Sequence, residues 1–111
     1  ISELVQKTSD GGAEIVGLLK TGSAYFAPSS AAATMVKSII SDSNEIMPAC
    51  SWVNGEFGIN DVFLGVPTML GANGVTEVVE IDLEESELKA LKSASEAVKS
   101  KVEELNSILS Q

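Results

Sequence analysis

No histidine and no arginine occur anywhere in the 111 residues, and each absence removes a class of chemistry. Without imidazole, the side chain that ordinarily titrates near neutrality and the commonest metal ligand are missing together. Without guanidinium there is no planar fork to clamp a carboxylate through two parallel hydrogen bonds. The single cysteine, Cys50, excludes an internal disulfide; in the apolar run MPACSWV it is expected to be a buried structural thiol in a reducing, intracellular compartment. No apolar run reaches the roughly 18 residues of a membrane span, and no signal-peptide pattern opens the chain. There is no GK[ST] phosphate loop, and no GxGxxG follows a strand.

Positive charge is scarce as well. Sixteen acidic residues stand against seven lysines, for a net charge of −9, which disfavours nucleic acid and anionic membrane as partners because phosphates would be repelled. The acids are spread evenly, eight before Glu80 and eight from Glu80 onward, as a solvated surface would have them and not as an acidic tail. Asp42 and Glu45 in SDSNE, and Glu56 and Asp61 around NGEFGIND, have neither calcium-loop spacing nor apolar neighbours, and are expected to be solvated turn acids.

What is present is a hydrophobic content of 44%, enough for one small core without disulfides or metal. Apolar periodicity predicts a helix from the start to about Lys20, with Ile1, Leu4, Val5 and Thr8 on one face and no capping box before it, which points to a piece of a longer chain. Within it, Gly11 and Gly12 stand together. Each glycine costs on the order of 1 kcal/mol against alanine in a helix interior, so the pair needs a reason: a kink or close helix crossing, or room for a ligand. Gly22 is placed to end this helix. A second helix follows from Pro28 through Met35, Val36, Ile39 and Ile40, its first turns mostly alanine and serine.

From Glu45 the period shortens. EIMPACSWV, DVFLGVPTML and VTEVVEI read as three antiparallel strands separated by Asn54-Gly55 and Asn73-Gly74, pairs suited to the positive φ of tight reversals. Pro48 and Pro67 lack an amide donor, so an edge, a strand start or a bulge is expected for each. A long helix closes the chain, from about Leu83 to Leu109, with Leu88, Leu91, Val98, Val102, Leu105 and Leu109 at helical spacing. Asp82 and Glu85 have capping-box spacing, and Glu85 with Lys89 and Lys99 with Glu103 are candidate i,i+4 pairs. The expected fold is therefore α+β: two N-terminal helices, a three-stranded antiparallel sheet and a long C-terminal helix.

In order along the chain, GGAEIV, LLKTGSAYFAP, MPAC, GEFGINDVFLGVP, GANGV and VVEI resemble the end of the lactate/malate dehydrogenase family, and in particular its lactate-dehydrogenase-like malate dehydrogenases. The resemblance spans Thr8 to Val102. It implies that residues 1–111 are the C-terminal portion of the substrate domain of an NAD-dependent enzyme, usually dimeric or tetrameric and cytoplasmic. The Rossmann NAD-binding domain, the catalytic histidine with its aspartate and the substrate arginines would all lie outside this chain, so no catalytic residue and no metal ligand can be assigned here. The resemblance does assign a substrate-pocket wall to Gly11, Gly12 and Ala24, and a nicotinamide contact of the NAD cofactor to Pro28. The implied substrate is a small 2-hydroxy or 2-oxo acid. Malate is favoured over lactate, because the small GG and SAYFAP elements leave space; the parent would pass a hydride from C2 of malate to the nicotinamide, and this chain alone is expected to be inactive. Two alternatives stand beside it: a lactate dehydrogenase of the same family, and, from a different class, a self-standing acidic interaction module using the apolar face of its last helix. The mass of the intact polypeptide separates the module from the enzyme.

Overall fold

A computed structural model of the chain describes residues 1–110. It divides into two compact units, Ile1–Lys37 and Ser38–Gln111.

The first unit holds helix α1 (Ser2–Leu19) and most of helix α2 (Phe26–Ser41). α1 runs unbroken through Gly11 and Gly12. Its C-cap stands two residues before Gly22: Lys20 itself takes the left-handed conformation (φ 63°) and returns its N–H to the Val16 carbonyl at 3.0 Å. Gly22 (φ 93°) continues the reversal. No residue of α1 is buried, and Leu4, Leu18 and Leu19 are more than half exposed. Pro28 is the third residue of α2, where its missing N–H would have had no intrahelical partner in any case.

The second unit is a sheet of order β1-β2-β3, comprising β1 (Glu45–Val53), β2 (Val62–Gly71) and β3 (Gly74–Val78), followed by helix α3 (Glu85–Leu109). Both pairings are antiparallel, with Val53 opposite Val62 and Glu45 opposite Leu70. Alternation sets the faces: Val62, Leu64, Val66, Thr68 and Leu70 are buried, and Val62, Leu64 and Val66 form the core cluster with Val53, Phe57 and Ile59, onto which Val78, Leu83, Leu88 and Leu91 pack. The same alternation overturns the expectation for Cys50. It lies opposite Gly65 between the inward Ser51 and the half-buried Ala49, and its thiol is exposed and unpaired.

Pro48 lies on the edge strand β1, as expected, whereas Pro67 differs from expectation in lying on the central strand β2. Pro48 and Pro67 face each other in mid-ladder. The Pro67 carbonyl accepts the Val79 N–H at 2.8 Å, so the main-chain groups of Pro67 point toward β3, and the Pro48–Pro67 pair occupies a non-hydrogen-bonded site of the β1–β2 ladder. No β1–β2 bond is lost there. Pro67 cannot return a bond to the Val79 carbonyl, and β3 stops at Val78. At the β2–β3 reversal Gly74 has φ 88° while Asn73 does not take positive φ, so only the glycine of that pair serves as expected.

Two polar devices lock the unit. Ser38, buried near the end of α2, donates its Oγ hydrogen to the Leu70 carbonyl at 2.9 Å and lies 2.8 Å from Ser43 Oγ. Asp42 Oδ1 accepts the Ala72 N–H at 2.8 Å, so Asp42 is a structural acceptor and not merely a solvated acid. The other device is Glu80, whose Oε1 accepts the N–H of Phe57 at 2.6 Å; this holds Phe57, at φ 55°, in the left-handed region with its ring in the core.

The start of α3 is shifted by two residues from the Asp82/Glu85 spacing. Glu84 is the N-cap, and its N–H donates to Glu87 Oε2 at 2.9 Å. The ion pairs form at i,i+3 in place of the expected i,i+4: Lys99 with Glu96 at 3.5 Å and Lys101 with Glu104 at 2.6 Å. Both are exposed enough to contribute little.

Candidate functional site

Within the first unit, Gly11 and Gly12 lie in the middle of α1, at positions where a helix normally carries side chains. A Cβ built on either one meets nothing within 4 Å. Within this unit nothing lies against the glycines. Ala24, half-buried, lies in the reversal between α1 and α2. Its conformation is bounded by Gly22, against which the Tyr25 hydroxyl sits so closely that a Cβ there would be 3.3 Å away. Pro28 follows in the first turn of α2, just before Ser29, whose N–H reaches the Tyr25 carbonyl at 2.9 Å. These four residues offer small or apolar surface only. They bear no charge and no side-chain hydrogen-bond donor, so they can shape a pocket but cannot move a proton.

Among the described residues no group of three or more histidine, cysteine, aspartate or glutamate side chains could hold a metal ion. The Glu56 carboxyl is held below the ordinary glutamate range, chiefly by the Asn54 N–H that it accepts at 2.8 Å and also by its own N–H. That is a turn-stabilising arrangement, and it makes Glu56 a poorer base.

One constellation was not singled out from sequence. Trp52 and Phe63 are directly opposite in the β1–β2 register, on the face turned away from the core, and their rings meet edge to face with centroids 5.0 Å apart. With Val98 and Val102 of α3 they line a groove of about 510 Å³ whose rim carries Asp61, Lys99 and Glu103. The signal available in sequence was the out-of-phase position of both aromatics between inward-facing Ser51, Val53, Val62 and Leu64, but recognising the pair required the strand register.

Comparison with known proteins gives this geometry its setting. Residues 1–108 match the lactate/malate dehydrogenase alpha/beta C-terminal domain. A malate dehydrogenase of Chloroherpeton thalassium is 47% identical over 109 residues, covering 98% of this chain and 35% of that protein. Among solved structures, malate dehydrogenase from Salinibacter ruber is similar with a TM-score of 0.93 at 41% identity, over 98% of this chain and 35% of that one. Lactate dehydrogenase from Eimeria maxima with NADH and oxamate is similar with a TM-score of 0.82 at 32% identity, over 99% and 33% of the two chains. The chain thus spans about a third of the length of the relatives it matches. With the family match over residues 1–108 and a relative 47% identical along 98% of the chain, the chain belongs to the lactate/malate dehydrogenase family, as its alpha/beta C-terminal domain.

Proposed function

We propose that these residues are the C-terminal portion of the substrate domain of an NAD-dependent oxidoreductase that interconverts L-malate and oxaloacetate. The observation that carries this reading is the 47% identity to a malate dehydrogenase along 98% of the chain. The chain's part in that reaction is to shape the site. Gly11, Gly12 and Ala24 form one wall of the pocket for the four-carbon acid, leaving its second carboxylate space that larger side chains would occupy. Pro28 packs on the nicotinamide side.

The residues in hand fit NAD only as a wall. Gly11, Gly12, Ala24 and Pro28 carry no donor side chain or charge to anchor a pyrophosphate, and a net charge of −9 opposes one. NAD binding therefore belongs to a preceding Rossmann domain, and so does the acid–base step, since no imidazole exists here to accept the hydroxyl proton. In this reading the parent enzyme is a cytoplasmic homo-oligomer, dimeric or tetrameric, and part of the surface described above faces other subunits.

The test is turnover by the intact protein. With NADH it should reduce oxaloacetate at least tenfold faster, by kcat/KM, than pyruvate, while the purified 111-residue chain shows background rates with both. Preference for pyruvate would make the parent a lactate dehydrogenase, the second reading, supported by the similarity to the Eimeria maxima enzyme. Turnover by the 111 residues alone would overturn the division of labour.

A further inference from the structure

The groove between the sheet and the far half of α3 combines two features that separately would mean little. Its floor is aromatic and aliphatic: Trp52 and Phe63 are 49% and 60% exposed, and Val98 and Val102 are 36% and 50% exposed. Its rim is acidic. Asp61 and Glu103 have neither an ion pair nor a side-chain hydrogen bond among the described residues, and the one cation lining the groove, Lys99, lies 3.5 Å from Glu96, so the carboxylates outnumber it. Asp61 takes a left-handed backbone (φ 55°) just before β2 and lines the same groove as Phe63.

A planar cation meets this combination best. A guanidinium stacks on an aromatic face and pairs with carboxylates at its edge, while an ammonium ion is a strongly hydrated point charge that gives up more on leaving water. We propose that this groove receives an arginine-bearing apolar segment from the part of the parent protein outside these 111 residues, the arginine lying against Trp52 and Phe63 and pairing with Asp61 and Glu103. A second copy of these residues is the wrong occupant, because it contains no arginine to supply the planar cation. The relatives, about three times as long, leave ample sequence to supply the segment. The inference rests on the reading of the chain as part of a larger dehydrogenase and specifies which surface meets the remainder.

Photo-cross-linking of the purified intact protein tests it, with p-benzoylphenylalanine replacing Phe63 in one preparation and Val102 in another, so that misfolding of one probe variant does not decide the matter. The expected adduct joins the groove to a segment outside the 111 residues with an arginine within about three positions of the attachment point. Substituting Asp61→Asn with Glu103→Gln should cut the yield about fivefold or more while far-ultraviolet dichroism is retained. An adduct on another copy of these residues, an adduct on a segment without arginine, no adduct from either probe, or a yield indifferent to the double substitution would each overturn the proposal. Turnover with oxaloacetate, measured on the same preparations before substitution, separates the two readings: turnover without the adduct refutes only the groove, and the adduct without turnover refutes only the dehydrogenase assignment.

Discussion

Replacing Gly11 and Gly12 by alanine separates a pocket wall from a packing contact, because the two roles predict opposite signs for stability. Both glycines lie in unbroken helix, neither takes positive φ, and the space where each Cβ would go is empty to 4 Å. Helix propensity alone then favours alanine by about 1 kcal/mol per site, or about 2 kcal/mol for the pair, with nothing in the chain to oppose it. If the space is kept for substrate, the intact enzyme carrying both alanines should melt at an equal or higher temperature and yet lose kcat/KM for oxaloacetate. Gly12→Leu extends the test by adding volume without a polar group. A loss of tenfold or more in kcat/KM corresponds to about 1.4 kcal/mol of transition-state stabilisation, and it should come without a fall in melting temperature. The assay is calorimetry alongside initial rates with NADH. A drop in melting temperature that accompanies the drop in rate would refute the reasoning, because it would mean that a packed neighbour fills the space in the assembled protein.

Three further outcomes follow from the second unit and from the exposed surface. Ser38→Ala should cost about 1–3 kcal/mol in urea unfolding followed by Trp52 fluorescence, because the Leu70 carbonyl loses its buried donor; Ser43→Ala, which leaves that bond in place, should cost less, and equal costs would remove Ser38 from its role as the latch. Glu56 has a folded-state pKa below its ordinary value, so its contribution is complete above the ordinary glutamate range and is lost as pH falls through the folded value; Glu56→Gln should flatten that acid limb of the stability curve, and an unchanged limb would count against it. The 111 residues alone should associate or lack fixed tertiary structure, read by sedimentation at physiological salt and by near-ultraviolet dichroism of Trp52 and Tyr25, whereas a sharp, cooperatively melting monomer would favour the interaction-module alternative.

Periodicity located the elements well because their cores are simple. β1 matches EIMPACSWV residue for residue, and α3 begins within two residues of its expected start. What periodicity could not supply was register. Whether Cys50 faces in or out depends on which neighbours share its phase, and a run such as MPACSWV is apolar on both faces. Pro67 escaped for the same reason, since a non-hydrogen-bonded site on the central strand exists only once Pro48 is known to face Pro67. Side-chain reach was equally hidden: Asp42 looked solvated until the β2–β3 reversal brought the Ala72 N–H to it. The candidate wall residues Gly11, Gly12, Ala24 and Pro28 were legible only by resemblance, because small and apolar residues leave no chemical signature of their own.

The distribution of exposed apolar surface gives a physical reason why this domain needs the rest of its protein. The core of the second unit is built from a handful of valines, leucines and isoleucines with Phe57, all close to the sheet. Beyond it, Val98, Val102, Leu105, Ile108 and Leu109 are exposed along the far half of α3, and α1 displays Ile1, Leu4, Val5, Leu18 and Leu19 with nothing buried. An isolated helix of 18 residues is marginal in water, and packing of its apolar face is what normally stabilises it. Charge does not substitute for that packing. Repulsion from −9 is screened within about 8 Å at physiological salt, whereas apolar burial contributes roughly 25 cal/mol per Å², so a few hundred Å² of contact outweighs it. In the proposed reading, these same surfaces are the ones through which the wall assigned to Gly11 and Gly12 would be held against a substrate whose proton and carboxylates are handled elsewhere.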